Sequence, residues 1–102
     1  MSFTNIHAKS RIARLAGLAI HPDFRGRRLA DEAARLFARY LLLEAGFHRL
    51  ELEIYAFNER AIAHAERAGF VREGTRRQAY LRHGEWNDAA LFSLLAEDLD
   101  DY

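Results

Sequence analysis

The chain has no cysteine among its 102 residues. That absence excludes disulfides, thiolate metal sites and a cysteine nucleophile, and it sets a reducing, cytoplasmic environment as the default expectation. Proline occurs once, at Pro22, and serine only as Ser2, Ser10 and Ser93, none of them in a nucleophile elbow. The histidines, His7, His21, His48, His64 and His83, form no pair at i, i+3 or i, i+4 spacing, so no metal is expected. No stretch approaches the ~20 apolar residues that span a bilayer. The first ten residues lack the apolar run of a signal peptide, and no membrane partner is expected. Charge of one sign is also missing: 15 basic residues face 15 acidic ones. Without a surplus of clustered cations there is little counterion release to gain, so a nucleic-acid partner is not expected either.

What is present fits one globular domain, residues 1–102, with 50% hydrophobic and 29% charged residues. A chain of this size buries roughly two-thirds of its unfolded surface and can fold without staples. Fourteen of the 15 basic residues are arginine, leaving Lys9 as the one lysine. Arginine is the better fork for phosphate or carboxylate, although a GC-rich genome would raise arginine and the 18 alanines together.

Patterning gives the elements. Ile12 to Ile20 is a short apolar run that suits a buried strand. After the Pro22 turn, Arg27 to Ala45 places Leu29, Ala33, Leu36, Phe37, Tyr40 and Leu43 at helical spacing, and Gly46 stops the helix. From Arg49 to Phe57 the chain alternates, with Leu50, Leu52, Ile54 and Ala56 on one face and Glu51, Glu53, Tyr55 and Phe57 on the other. Asn58 caps a second helix through Ala68, with Ala61, Ile62 and Ala65 as its apolar stripe and Gly69 as its end. Phe70 to Arg82 and Glu85 to Leu95 form a hairpin about His83-Gly84, Trp86 reads as a packing anchor, and the acidic tail from Glu97 is expected to fray. The fold class is therefore α/β: a mixed sheet of about four strands with two helices and a C-terminal antiparallel hairpin.

Two segments carry candidate chemistry. The turn Phe24-Arg25-Gly26-Arg27-Arg28-Leu29-Ala30 opens a helix. Its free backbone N–H groups, the helix dipole and its arginines suit a pyrophosphate, as they also suit an ordinary solvated turn. The second segment runs from Asn58 to Phe70, by itself an ordinary amphipathic helix.

In this order, Ala19-Ile20-His21-Pro22-Asp23-Phe24-Arg25-Gly26-Arg27, Asp31-Glu32-Ala33, Asn58-Glu59-Arg60-Ala61-Ile62, Glu66-Arg67-Ala68-Gly69-Phe70 and Glu73-Gly74 resemble the GNAT superfamily of N-acetyltransferases. The similarity runs from about Ile12 to Leu95 and is greatest to the branch of ribosomal-protein N-terminal acetyltransferases. It implies acetyl-CoA as acetyl donor and a primary amine of a protein N-terminus or small molecule as acceptor. Arg25, Gly26, Arg27, Arg28, Leu29 and Ala30 would cradle the pyrophosphate. Leu18, Ala19 and Ile20 would pair with the pantetheine arm, and Asn58 would contact it from the other side. Glu51 and Glu53 are candidates to take the amine's proton, or else charges on a solvated or subunit-covered face.

The departures are specific. Arg28 stands where the family usually has glycine, Asp31 where threonine or serine is common, and Ala65 where many members carry an acid tyrosine. The family's N-terminal half has no counterpart in the chain, so a truncated, GNAT-like domain is expected. A bare strand at Ile12 to Ile20 would then favour a homodimer. The rival is a non-catalytic remnant that binds coenzyme A or only dimerises.

Overall fold

The computed structural model describes residues 2–16 and 27–101. In chain order the elements are β1 (Ser2–His7), β2 (Ile12–Ala16), α1 (Arg27–Arg39), a π-helical turn (Tyr40–Glu44), β3 (Arg49–Tyr55), α2 (Glu59–Arg67), β4 (Val71–Arg82), β5 (Glu85–Leu95) and a 3₁₀ turn (Ala96–Asp101). The sheet has five strands in the order β1-β2-β3-β5-β4. Only β2 and β3 are parallel neighbours; the other pairings are antiparallel. The mixed α/β class with two helices and a terminal hairpin holds.

The fifth strand corrects an expectation. Ser2 to His7 folds back and pairs with Ile12 to Ala16, so β2 is not a bare edge. Residues 1–9 could from sequence fold back as a short extra strand, but Ser2-Phe3-Thr4-Asn5-Ile6-His7 alternates only weakly, and the ladder, rather than its side chains, defines the strand.

Strand alternation divides the sheet into two faces. Ala13, Leu15, Leu50, Leu52, Ala90, Phe92 and Leu94 gather on one face with Ala34, Ala38, Leu41, Leu42, Ala65 and Ala68 from the helical segments. The inward face of α1 therefore differs from the expected stripe. Ala34 and Ala38 are buried, whereas Leu36, Tyr40 and Leu43 are exposed. Small side chains let the helix approach the sheet, and the π-helical turn brings both Leu41 and Leu42 inward. The turn ends where the Ala45 N–H donates to the Tyr40 carbonyl at 2.9 Å, and Gly46 follows with φ +86°. In α2 the buried pair is His64 and Ala65, with Ala61 and Ile62 half-buried.

The hairpin turns at His83 and Gly84, whose φ values of 53° and 77° match the mirror-image turn that right-twisted strands prefer. Trp86 is 60% exposed, opposite an equally exposed Leu81 on the edge strand, and so does not anchor the core. Nor does the tail fray at once. Asp98 accepts from the Leu95 N–H at 2.9 Å and Leu99 is buried in the core, because the 3₁₀ turn folds its one leucine back under the sheet. Among the described residues no helix is long and apolar enough to cross a membrane.

Docking of the tail makes a checkable contribution. Leu99→Ala should lower unfolding free energy by about 2 kcal/mol, the low end for a buried leucine near a chain end. Urea denaturation measures it; a change within error would mean that Leu99 is not a core residue in solution.

Candidate active site

The register between β2 and β3 covers three pairs, Ile12 with Arg49, Ala13 with Leu50 and Arg14 with Glu51. Both strands then continue, β2 to Ala16 along β1 and β3 to Tyr55 along β5. Parallel strands that part at their C-terminal ends open a crevice, the usual ligand position in α/β sheets. The start of α2 follows directly, the Asn58 N–H donating to the Tyr55 carbonyl at 2.9 Å. Asn58 caps α2, its Oδ1 accepting from the Ala61 N–H at 3.2 Å. This uses the carbonyl oxygen of the amide and leaves the NH₂ to donate elsewhere.

The other face of the sheet carries charge. Glu51 and Glu53 lie beside Arg14 on β2, Arg49 on β3, and Glu73 and Arg76 on β4, around an open pocket of about 240 Å³. Arg14 reaches both carboxylates, Nη2 to Glu51 at 3.1 Å and Nη1 to Glu53 at 2.6 Å. Arg49 donates through Nε to Glu51 at 2.8 Å and forks its two Nη atoms onto Glu73. Arg76 donates to Glu53 at 2.7 Å, and the Tyr80 hydroxyl donates to the other oxygen of Glu53. Side-chain exposure is 18% for Glu51 and 9% for Glu53. These are not solvated surface charges. They form one ion-pair network across β2, β3 and β4.

Beyond it, at the end of β3, Tyr55 stacks on Phe57 with ring centroids 5.2 Å apart and meets Tyr80 edge-on at 5.9 Å. The Arg82 guanidinium lies over Tyr55 and Phe57, at 5.1 and 5.6 Å.

Burial alone would push the Glu51 carboxyl up, but hydrogen bonds and charge from Arg49 and Arg14 together outweigh it, and the group is held below the usual glutamate range. Glu53 follows the same balance: burial raises it, while Tyr80, Arg76 and Arg14 bring it lower. Glu73 is lowered chiefly by its hydrogen bond from Arg49. Tyr80 is raised, first by its hydrogen bond to Glu53. At neutral pH the site thus holds ionised carboxylates beside a protonated phenol.

Of the residues expected from sequence, Glu51 and Glu53 meet in this network and Asn58 stands at the crevice mouth. Arg27, Arg28, Leu29 and Ala30 form the opening turn of α1. Leu18, Ala19, Ile20, Arg25 and Gly26 lie outside the described residues. Sequence reasoning missed Arg14, Arg49, Arg76 and Tyr80. Arg14 had a signal, as the one charge between buried Ala13 and Leu15, which fixes the face it shares with Glu51. Tyr80 had none, because its position depends on a bulge.

The acetyltransferase (GNAT) domain family matches residues 1–71, and the chain belongs to that family. An uncharacterised, prophage-derived N-acetyltransferase of Bacillus subtilis, YokL, is 28% identical over 83 residues, which are 81% of this chain and 47% of the relative. A ribosomal protein uS5 alanine N-acetyltransferase of Escherichia coli is 29% identical over 97 residues, 95% of this chain and 50% of the relative. Such similar identities identify the family and no single branch within it. Among solved structures, a chimera of the spermidine N-acetyltransferase SpeG of Vibrio cholerae superposes with a TM-score of 0.84 at 22% identity, over 95% of this chain and 58% of that one. That likeness is one of fold. The chain spans about half the length of the curated relatives it matches.

The network makes stability depend on pH. A carboxylate whose folded pKa is depressed binds fewer protons folded than unfolded, so its stabilisation is present above the ordinary glutamate range and lost as pH falls through the lower folded value. Stability should therefore decline from about pH 5 downward. The decline should be shallower in Glu53→Gln than in the parent; equal slopes in denaturant melts across that range would mean that Glu53 is not held in the network.

Proposed function

We propose that the chain carries the donor-binding part of an acetyl-CoA-dependent N-acetyltransferase that acts on a primary amine of a protein N-terminus or a small molecule. The observation that supports this most is the parting of β2 from β3 after three pairs, with α2 opening just beyond the end of β3. An extended thioester arm fits such a crevice, because strands that have parted leave backbone donors and acceptors for a third chain-like partner. In this reading Leu18, Ala19, Ile20 and Asn58 hold the pantetheine arm. The turn of Arg25, Gly26, Arg27, Arg28, Leu29 and Ala30 holds the pyrophosphate through backbone N–H groups and guanidinium forks. Acetyl-CoA, when bound, supplies an activated acyl carbonyl.

The chain's own residues then have a limited task. The acceptor arrives as an ammonium and must lose a proton. Glu53, ionised and largely shielded, attracts the cation and takes or relays that proton, with Glu51 beside it. Ala65 supplies no acid on α2. A second reading, in which coenzyme A binds without turnover, draws on Ala65 and on how fully Arg14 and Arg76 already neutralise Glu53. A homodimer remains part of the proposal on different ground from the sequence argument. Since β1 covers β2, its support is the exposed stripe of Leu36, Tyr40 and Leu43, for which light scattering at a dimer mass is the test.

Calorimetric titration with acetyl-CoA, followed by thiol release over a panel of amines, separates the two functional readings. The proposal expects saturable binding and turnover on at least one amine; binding with no turnover on any favours the second. Arg25→Ala should weaken acetyl-CoA binding by roughly 1.5–3 kcal/mol, the worth of one hydrogen bond to a charged group. Gly26→Val should obstruct the backbone approach. If both variants bind as tightly as the parent, the cradle lies elsewhere.

A further inference from the structure

The hairpin contains an irregularity that the family assignment does not use. Arg76 opposes Ala89, yet Tyr80 opposes Asn87, so three residues on β4 face one on β5. Two residues are extra. Counted from Arg76 and Ala89, a regular ladder would put Tyr80 opposite Glu85; the two extra residues let it keep the register of the turn instead, opposite Asn87, two positions or about 7 Å nearer Arg76 and on the same charged face. At the centre of the bulge Gln78 has φ 47°, a left-handed conformation that a non-glycine residue adopts only when its surroundings impose it. Asp88 imposes it: its Oδ1 accepts from the Gln78 N–H at 2.7 Å. Bulges commonly re-aim one side chain, and this one brings the Tyr80 hydroxyl to Glu53.

The remaining capacity of Glu53 matters most. A carboxylate offers about four lone-pair sites. Arg76 donates to Oε1 at 2.7 Å, Arg14 Nη1 is ion-paired with the same oxygen at 2.6 Å, and Tyr80 donates to Oε2. The rotation of the group is thereby fixed, and among the described residues the second site on Oε2 has no protein donor. We propose that Tyr80, presented by the Asp88-clamped bulge, is a positioning residue that orients Glu53 so that its free Oε2 site receives the acceptor's ammonium. This rests on the acetyltransferase reading above. It supplies that reading with a hydroxyl on β4 in a chain where α2 has Ala65, though its role is to hold the carboxylate and not to protonate the leaving thiolate.

Among the described residues, the charged and titratable groups around Glu53 are few. β2 contributes Arg14, β3 Glu51 and Tyr55, and β4 Arg76 and Tyr80, with Arg49 and Glu73 further along the same pocket. β5 contributes Leu91 directly opposite, and Asp88 is engaged with Gln78.

The test follows the Glu53 carboxyl by carbon-13 NMR titration, its signal assigned by loss in Glu53→Gln, in the full chain. Tyr80→Phe keeps the ring and deletes the donor, so the midpoint should rise. Asp88→Ala should raise it similarly, Asp88→Asn, which keeps an accepting oxygen, should not, and the Tyr80→Phe/Asp88→Ala pair should shift no further than Tyr80→Phe. In turnover, Tyr80→Phe should lower kcat/KM for the amine roughly ten-fold through KM and move the acid limb to higher pH, with acetyl-CoA affinity unchanged. Circular dichroism identifies an unfolded variant, for which Tyr80→Phe alone decides. An unmoved Glu53 midpoint in Tyr80→Phe overturns the proposal. A shift in Tyr80→Phe with none in folded Asp88→Ala overturns the role of the bulge. Midpoint shifts in a parent that turns over no amine would sink the acetyltransferase reading, and the acceptor role with it, while establishing the hold of Tyr80 on Glu53.

Discussion

The whole arrangement depends on the alternation of one central strand. β3 puts Leu50 and Leu52 into the core and Glu51 and Glu53 on the opposite face, and the period of two allows no other division once either pair is set. Burying the leucines draws the helical segments to one side. The carboxylates are then carried to the middle of a sheet, where they need cations. These come from other strands: Arg14 from the adjacent β2, Arg76 from β4 across the intervening β5, and Arg49 from β3 itself. The charge network is thus a consequence of the hydrophobic core and fixes the lateral register of three strands.

The same strand is also where the parallel pairing ends. β3 stays with β5 for seven pairs and with β2 for three, so among the described residues its second half has a partner on one side only. Leaving backbone groups unpaired in a sheet is costly unless something else bonds them.

Much of this was legible in the residues. The alternation of Arg49 to Phe57, the Asn58 cap and the His83-Gly84 turn are local signals, and local signals specify local structure. The crossover order followed from strands alternating with helices. What escaped were features set by long-range pairing. Ser2 to His7 is a strand because β2 needed a partner, not because its pattern demands one. The inward face of α1 runs through Ala34 and Ala38, since close approach to a sheet favours small side chains over the larger leucines that draw the eye in a helical plot. Glu51 and Glu53 were visible as candidates, but of the arginines that lower their pKa values Arg14 lies 37 residues from Glu51 in sequence.

The bulge on β4 illustrates how such a site is completed. A hairpin with a tight two-residue turn has its register dictated by the turn, which here pairs Arg82 with Glu85 and Leu81 with Trp86. Counting outward, Tyr80 should still be level with Asn87, and it is; the irregularity comes after it, between Tyr80 and Arg76. The turn therefore sets Tyr80 level with Asn87, and the two extra residues set how close it comes to Arg76, so that both reach Glu53. Both donors reach one carboxylate from one strand only because the chain between them is longer than the span it covers. Asp88 absorbs the slack by bonding the displaced Gln78 amide, and the left-handed backbone there is the conformational cost of bringing a phenol and a guanidinium to the same group.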